Sequence, residues 1–276
     1  TPVTTAGYRT QAVSIVSDDA NSPFTFTVSG TGSAAAAPNI NVKTGSTNLV
    51  SGTSSVAFDD TVVNGTSASK TFTVQNLGSA ALTISSITSS DPAQFPVTGA
   101  LASIPAGSSG TFSIAFKPTA TGPQNATLTI ASDDADTGSY TIALTGNGLN
   151  ANPIFVPTSY SFANVNRGSS SATMTITVMN TGTAPISGAS IVSSNAEFSA
   201  SALSTTSIPV GQTAYFTTAF TPSNNGLRTT TYTLTYSNGV TAGLTRTMTA
   251  TGTGVGVPSI ALTDVTLATP VASGGL

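Results

Sequence analysis

The stretch KTFTVQNLG at residues 70–78 returns as MTITVMNTG at residues 174–182. In both copies, apolar residues alternate with threonine before the chain reaches Asn-x-Gly. Alternation with a period of two places one face of a β-strand on a core and the other face in water. Asn-x-Gly is a turn signal. The two stretches therefore predict two equivalent β-strands, each followed by a turn.

The similarity extends on both sides of these stretches at a constant spacing of 104 positions. The pairs are Phe58 and Phe162, Asn76 and Asn180, Ile-Pro-x-Gly at 104–107 and 208–211, Phe-x-Pro at 116–118 and 220–222, and Gly122 and Gly226. A constant spacing without a gap indicates internal duplication. A period slightly above 100 residues is also typical of an immunoglobulin-like β-sandwich.

Partial copies flank the two repeats. AVSIVSDDA at 12–20 resembles TLTIASDDA at 127–135, and TFTVSGTG at 25–32 resembles the segments at 141–148 and 247–254. Pro258-Ser259-Ile260 resembles Pro153-Ile154-Phe155. The predicted organisation is the final strands of a partial repeat at 1–32, whole repeats at 38–148 and 153–254, and the first strand or strands of a further partial repeat at 258–276.

The fold class follows from short alternating segments separated by Gly, Pro and Asn, without an amphipathic helix of useful length. We expect an all-β chain of tandem immunoglobulin-like β-sandwich repeats, with about seven strands in each repeat. Proline follows each short link, at 148–153 and 254–258, and restricts the backbone there. This favours an extended array over a flexible chain.

Composition restricts the partners of the chain. Charged residues make up 6% of the sequence and the net charge is −3, so there is no basic cluster for nucleic acid or an anionic membrane. No stretch of 18 apolar residues occurs, so we expect no membrane insertion of this segment. A neutral surface rich in Thr, Ser and Asn tolerates close packing against copies of itself. Self-association or contact with neighbouring repeats is therefore the expected interaction.

The residues that are missing exclude most catalytic chemistry. The sequence contains no His and no Cys. A Ser-His-Asp triad, His-ligated zinc, thiolate nucleophiles and iron–sulfur clusters are therefore excluded. Glu197 is the single glutamate, which leaves a pair of aspartates as the remaining source of acid–base catalysis. We expect that the protein is not an enzyme.

Two acidic turns are the candidate sites. Asp18 and Asp19 follow one predicted strand, and Asp133, Asp134 and Asp136 lie in the equivalent hairpin of the first whole repeat. Adjacent carboxylates near a domain joint could hold Ca²⁺, the only cofactor that the sequence suggests. The competing interpretation is that Asp stabilises these turns by accepting hydrogen bonds from its own backbone. The second whole repeat lacks the acidic cluster, which favours the turn interpretation.

Exposed aromatic rings are the second class of candidate. Glycan-binding modules usually present Trp or Tyr, and this chain contains no Trp. Tyr8, Tyr160 and Tyr215 are the residues that could stack on a sugar, although Tyr160 also falls at a core position.

Taken in order, the motifs are Phe-x-x-Val (at 162–165), Gly-x-Ser, Asn-x-Gly, Ile-Pro-x-Gly, Phe-x-Pro, Ser-Asp-Asp and Thr-Gly-x-Gly. This order resembles the bacterial choice-of-anchor D repeat, which is related to the abnormal-spindle/hydin-like (ASH) immunoglobulin fold. The second repeat departs from the pattern because Tyr236-Ser237-Asn238-Gly239 replaces the Ser-Asp-Asp segment. The resemblance implies a large exported, surface-anchored protein and assigns no activity.

These observations together predict a non-catalytic structural or spacer array of a secreted or cell-surface protein, able to form part of a surface fibre. The alternative is an adhesin or carbohydrate-binding module that binds a surface glycan or a protein ligand through loops at one end of a sandwich.

Overall fold

The computed structural model describes residues 6–256. Every regular element in this range is a β-strand, and no helix occurs there that could span a membrane. The chain divides between Gly148 and Leu149 into two compact units, and each contains a sandwich with its own apolar core. The all-β prediction is confirmed. The predicted segment 258–276 lies outside the described residues.

A separate hairpin comes first in the chain. It consists of β1 (Gly7–Ile15) and β2 (Phe24–Gly32), which pair antiparallel from Gly7–Gly32 at one end to Ile15–Phe24 at the other. Within the described range, these two strands pair with each other and with no other strand.

The first sandwich follows. Its strands are β3 (Ile40–Thr44), β4 (Thr47–Leu49), β5 (Ser55–Ala57), β6 (Thr61–Val62), β7 (Lys70–Asn76), β8 (Leu82–Ser89), β9 (Val97–Thr98), β10 (Ser103–Ile104), β11 (Ser109–Ile114), β12 (Gly122–Ser132) and β13 (Ser139–Leu149). One sheet has the order β10-β8-β12-β13-β5, and β6 also pairs with β13. The facing sheet has the order β4-β3-β7-β11-β9.

The second sandwich has the same plan. Its strands are β14 (Pro153–Val156), β15 (Ser159–Ser161), β16 (Val165–Asn166), β17 (Met174–Asn180), β18 (Ser187–Ser193), β19 (Thr213–Thr218), β20 (Gly226–Ser237) and β21 (Leu244–Val255). One sheet has the order β14-β17-β19. The other has the order β15-β21-β20-β18, and β16 also pairs with β21. Against the expected seven strands, the described sandwiches have eleven and eight, because pairing adds pieces two or three residues long.

The alternating residues of the sequence form the two cores. Phe72 and Val74 on β7 are fully buried, and so are Ile176 and Val178 on β17. Phe95 stacks on Phe116 with ring centroids 5.0 Å apart, and Phe198 stacks on Phe220 at 4.5 Å. Burial of such side chains contributes about 1.5–3 kcal/mol each, so the aromatic pairs are a main source of stability.

Candidate functional site

Asp134 lies in the turn between β12 and β13, and its side chain is buried. Its Oδ2 atom accepts a hydrogen bond from the backbone N–H of Ile40 at 2.8 Å, and its Oδ1 atom accepts from Asp136 N–H at 2.9 Å and Thr137 N–H at 3.2 Å. Burial by itself raises the pKa of this carboxyl, but the three backbone donors outweigh it and hold the pKa below its ordinary value of 3.8. The carboxylate is therefore kept ionised by the backbone around it.

Asn238 takes the same place in the second sandwich, 104 positions further along. Its Oδ1 atom accepts hydrogen bonds from Val240 N–H at 3.1 Å and Thr241 N–H at 2.8 Å. Its Nδ2 atom donates to Asn150 Oδ1 at 3.3 Å. A neutral amide therefore makes the same turn as Asp134.

The N–H of Ile40 is the third donor to Asp134. It explains why the turn in the first sandwich needs an acid and the equivalent turn in the second does not. Ile40 pairs with Asn76 across the sheet, and Pro153 pairs with Asn180, so Pro153 stands where Ile40 stands in the first sandwich. Proline has no backbone N–H. The second sandwich thus has no donor to match the one that Asp134 accepts, and an amide suffices there.

The remaining acids of this turn are held differently. The Oδ1 atom of Asp133 accepts a hydrogen bond from Thr83 N–H at 2.8 Å, which fastens the turn to β8. The side chain of Asp136 is exposed.

The acidic pair of the hairpin lies on the β1–β2 turn. The Oδ1 atom of Asp19 accepts a hydrogen bond from Asn21 N–H at 2.8 Å, which repeats the contact between Asp134 and Asp136. Asp18 is exposed beside it.

Calcium would need carboxylate oxygens that are free to converge on one ion. The oxygens of Asp134 already accept three backbone hydrogen bonds, and no group of three or more Asp, Glu, His or Cys side chains suited to a metal occurs within residues 6–256. The geometry favours turn stabilisation, and calcium binding by these turns stays an untested hypothesis from the sequence.

Asn76 makes a set of buried hydrogen bonds that its sequence motif did not predict. Its side chain is fully buried, and Nδ2 donates to the carbonyl oxygens of Ala80 at 2.7 Å and Ile104 at 2.9 Å. Its Oδ1 atom accepts from the N–H groups of Asn39 at 3.2 Å and Gly78 at 3.0 Å. One amide thus ties together three separate segments of the first sandwich.

Asn180 makes the equivalent set of contacts in the second sandwich. Nδ2 donates to Ala184 O at 2.9 Å and Ile208 O at 3.0 Å, and Oδ1 accepts from Asn152 N–H at 3.3 Å and Gly182 N–H at 3.1 Å. The recurrence of Asn-x-Gly at the repeat spacing was the signal that could have identified this pair. Turn chemistry alone accounted for the motif, so the burial of its asparagine was missed.

The glycine of this motif is required by a close approach of the backbone. A Cβ atom on Gly78 would lie 2.2 Å from the carbonyl oxygen of Ala37. A Cβ atom on Gly182 would lie 2.4 Å from the carbonyl oxygen of Asn150. The chain entering each sandwich crosses directly over this position, and any larger residue would displace it.

A second motif is explained in the same way. The ring of Phe116, from Phe-x-Pro, lies 2.7 Å from where a Cβ atom of Gly146 would be. In the second sandwich, the ring of Phe220 lies 2.6 Å from the corresponding point at Gly252. The first glycine of Gly-x-Gly on the last strand therefore provides the space for the phenylalanine of Phe-x-Pro.

Glu197 is held in an ion pair. Its Oε2 atom lies 3.3 Å from Nε of Arg228, and its Oε1 atom accepts hydrogen bonds from the hydroxyl and the N–H of Ser223. The Ser223 hydroxyl is the main cause of a pKa below the ordinary value of 4.5. A general acid at neutral pH needs a raised pKa, so this environment suits structure rather than proton transfer.

The three candidate stacking residues are not equivalent. Tyr8 and Tyr215 are 70% and 54% exposed, but they belong to different units. Tyr160 is half-buried and meets Phe162 edge to face with ring centroids 4.9 Å apart, so it belongs to the core.

Residues 43–139 match the family model ASH, described as abnormal spindle-like microcephaly-associated, ASPM-SPD-2-Hydin. The ASH match covers about a third of the chain and runs from β3 to the start of β13. It supports an ASH immunoglobulin-like fold for the first sandwich, and the second sandwich repeats the main strand pairing of the first. No curated protein sequence matches the chain.

Several solved structures are similar to this chain at low identity. A protein of unknown function from Porphyromonas gingivalis W83 is 12% identical over 78% of this chain and 99% of its own, with a TM-score of 0.31. The ASH/PapD-like domain 7 of human CEP192 is 14% identical over 38% of this chain and 87% of its own, with a TM-score of 0.30. Domains EC22-24 of mouse cadherin-23 are 12% identical over 91% of this chain and 75% of their own, with a TM-score of 0.37.

Proposed function

We propose that this chain is a non-catalytic spacer of a secreted or cell-surface protein, built as tandem immunoglobulin-like repeats in an extended array. The proposed repeats are 38–148 and 153–254, and residues 1–32 are the final strands of another. The motif order supports a bacterial repeat of the choice-of-anchor D type, and the array would form part of a surface stalk or fibre.

The observation that carries this proposal is the parallel pairing of an early strand with the last strand. Ser55–Ala57 run parallel to Ala143–Thr145, and Ser159–Ser161 run parallel to Thr249–Thr251. When two strands are parallel, pulling on the start of the first and the end of the second loads all their hydrogen bonds at once. Such a junction resists force by shear instead of opening one bond at a time.

The outward surface supports a role beside identical neighbours. On β20, the buried residues Tyr232, Leu234 and Tyr236 alternate with outward-facing threonines at 231, 233 and 235. A surface of hydroxyl groups with few charges causes little repulsion between adjacent copies. Self-association or contact with neighbouring repeats is therefore the proposed partner interaction.

Single-molecule pulling tests the spacer function. Each sandwich of roughly 104 residues should lengthen the chain by about 30 nm when it unfolds, at about 3.5 Å per residue less the folded length. Absence of two steps of this size would contradict the proposal.

A single substitution tests the parallel junction of the first sandwich, in which Ser55–Ala57 pair with Ala143–Thr145. The N–H of Ala143 donates to the carbonyl oxygen of Ser54 at 3.0 Å, so Ala143→Pro removes one hydrogen bond of the parallel junction. We expect a lower unfolding force for the first sandwich, with the second as an internal reference. Equal forces before and after the substitution would show that the junction does not bear the load.

The alternative function is an adhesin or carbohydrate-binding module that acts through sandwich loops, and the exposed ring of Tyr215 on β19 could add to such a surface. A glycan array probed with the intact chain and with Tyr215→Ala tests it. Loss of a signal on substitution would favour the adhesin over the spacer.

A further inference from the structure

The β1–β2 hairpin has two faces of opposite character. One face, called here the apolar face, carries Val13, Ile15, Phe24, Phe26 and Val28, and towards Gly30 it also carries Gln11 and Arg9. The other carries Thr10, Ala12, Ser14, Thr25, Thr27 and Ser29. Phe24 is 66% exposed and Phe26 is 41% exposed, although both are on the apolar face. A soluble protein rarely exposes such a surface unless it binds something.

The internal repeats show what covers the same surface elsewhere in the chain. Residues 13, 15, 24, 26 and 28 correspond to Leu128, Ile130, Tyr140, Ile142 and Leu144 on β12 and β13, and all five of these are buried. The cross-strand pairs agree, because Val13 faces Phe26 as Leu128 faces Ile142. In the first sandwich, this face packs against the sheet that contains β3, β7 and β11.

The outer edges of the hairpin also differ from the outer edges of the equivalent strands in the first sandwich. The outer edge of β12 pairs with β8, and the outer edge of β13 pairs with β5. The equivalent edges of β1 and β2 pair with no strand in the described part of the chain. A lone two-stranded hairpin is only marginally stable in water, and a third strand or a packed layer stabilises it.

Gly30 marks the position where a contact with a phenylalanine ring is missing. Gly30 corresponds to Gly146, which leaves space for the ring of Phe116. Among residues 6–256, no atom lies within 4 Å of the position of a Cβ atom on Gly30. The hairpin therefore has the space for a phenylalanine of Phe-x-Pro, and no ring of this described range occupies it.

We propose that the apolar face and both edges of the β1–β2 hairpin are the docking site for a strand set of this same repeat type. That strand set corresponds to β3–β11, carries the Phe-x-Pro segment at its end and lacks a final hairpin of its own. Docking would pair its strands with both edges and insert the phenylalanine over Gly30. The proposal rests on the repeat assignment of residues 1–32 proposed above and not on the mechanical role.

The observations favour this occupant over a second copy of the described chain. In both described sandwiches, the strand set already packs against its own final pair, β12–β13 or β20–β21. A second copy therefore offers another exposed hairpin but no vacant strand set, and two hairpins would leave their outer edges and the space at Gly30 unfilled.

A chimera tests the proposal because the register is known. Gly7, Gly122 and Gly226 each begin the first strand of a final pair, and all three have a positive φ. Residues 36–121 of this chain, which contain β3–β11, are fused directly to Gly7 and followed by the rest of the chain. We expect the amides of β1 and β2 to become protected from hydrogen exchange. We also expect a third unfolding step of about 30 nm in pulling experiments.

Two substitutions in the chimera separate docking from general effects. A Cβ atom at Gly30 has no described atom within 4 Å, and Gly30→Leu fills the space of the phenylalanine, so it should abolish the protection and the third step. Thr27→Leu adds the same side chain on the opposite face and should leave both unchanged. Failure of the chimera to protect β1–β2, or equal effects of the two substitutions, would overturn the proposal. So would self-association of the original chain in sedimentation experiments that Phe26→Asp abolishes, because the occupant would then be a second copy.

Discussion

Thr218 and Tyr232 share a hydrogen bond between their hydroxyl groups in the second sandwich, where both side chains are almost completely buried. The positions 104 residues earlier hold Ile114 and Leu128, which are also buried. A polar pair and an apolar pair therefore fill the same place in two related cores. Burial raises the pKa of Tyr232, so its hydroxyl stays protonated and able to donate.

Thr218→Val should leave the Tyr232 hydroxyl with only a 3.5 Å contact to the Ser199 carbonyl oxygen. We expect a loss of about 1–3 kcal/mol in the unfolding free energy of the second sandwich, because a buried hydroxyl loses its partner. Hydrogen exchange on β20 in increasing urea measures this. Adding Tyr232→Phe removes both polar groups and should cost less than the sum of the single substitutions. Strict additivity would show that the two hydroxyls do not act as a pair.

The buried asparagines should be among the most sensitive positions in the chain. Asn76→Ala removes four hydrogen bonds, each contributing about 0.5–1.5 kcal/mol, and leaves buried backbone groups without partners. We expect a loss of about 3–5 kcal/mol for the first sandwich, measured by urea denaturation. Asn125→Ala changes an exposed asparagine of the same sandwich and serves as the control. A similar small effect at both positions would contradict the proposed role.

Asp134 should link the stability of the first sandwich to pH. Its folded pKa lies below 3.8, so the contribution is complete above the unfolded pKa and is lost as the pH falls through the folded value. Asp134→Asn should remove this part of the acid dependence and should also cost stability at neutral pH, since an amide N–H would face the N–H of Ile40. Adding Ile40→Pro copies the arrangement of the second sandwich and should recover part of the loss. The unfolding free energy between about pH 2 and 6 provides the measurement.

A second substitution in the same turn serves as the control for that experiment. Asp136→Asn alters an exposed acid of the same turn and should leave the pH dependence nearly intact. If Asp134→Asn left the acid dependence as it was, the three backbone donors could not be its source.

Calcium should have little effect on the acidic turns, because the oxygens of Asp134 are already bonded to the backbone. The melting temperature should be the same in chelator and in about 10 mM calcium, a concentration above the dissociation constants of roughly 10⁻³ M found for extracellular modules. A calcium-dependent rise in the melting temperature that Asp133→Asn abolishes would favour the metal site instead.

The parts of the fold that could be predicted are those whose cause is local. Phe72 and Val74 alternate with polar residues, and this alternation is sufficient to predict a strand with one buried face. The spacing between Asn76 and Asn180 predicted a duplicated unit. The short strands β4, β9 and β10 were not predicted, because they exist only through pairing with neighbours that are distant in sequence.

The sequence predicted that the candidate site is a turn, but it did not predict which groups contact the acidic side chains. Asp134 was recognised as an acid in a hairpin, but its third donor, Ile40, is 94 positions away. Glu197 and Arg228 likewise meet only because the fold brings the segment between β18 and β19 against the start of β20. No periodic pattern records such contacts, so the distinction between a metal ligand and a buried backbone acceptor required the structure.

The difference between Ile40 and Pro153 also affects how faithfully neighbouring repeats fold. Similar repeats in one chain can misassemble by exchanging equivalent strands. If β14 replaced β3 in the first sandwich, Asp134 would lose one donor and keep a buried charge. If β3 replaced β14 in the second, the N–H of Ile40 would meet Asn238 without a carboxylate to accept it. Each mismatch costs about 1–3 kcal/mol, so each sandwich discriminates in favour of its own first strand.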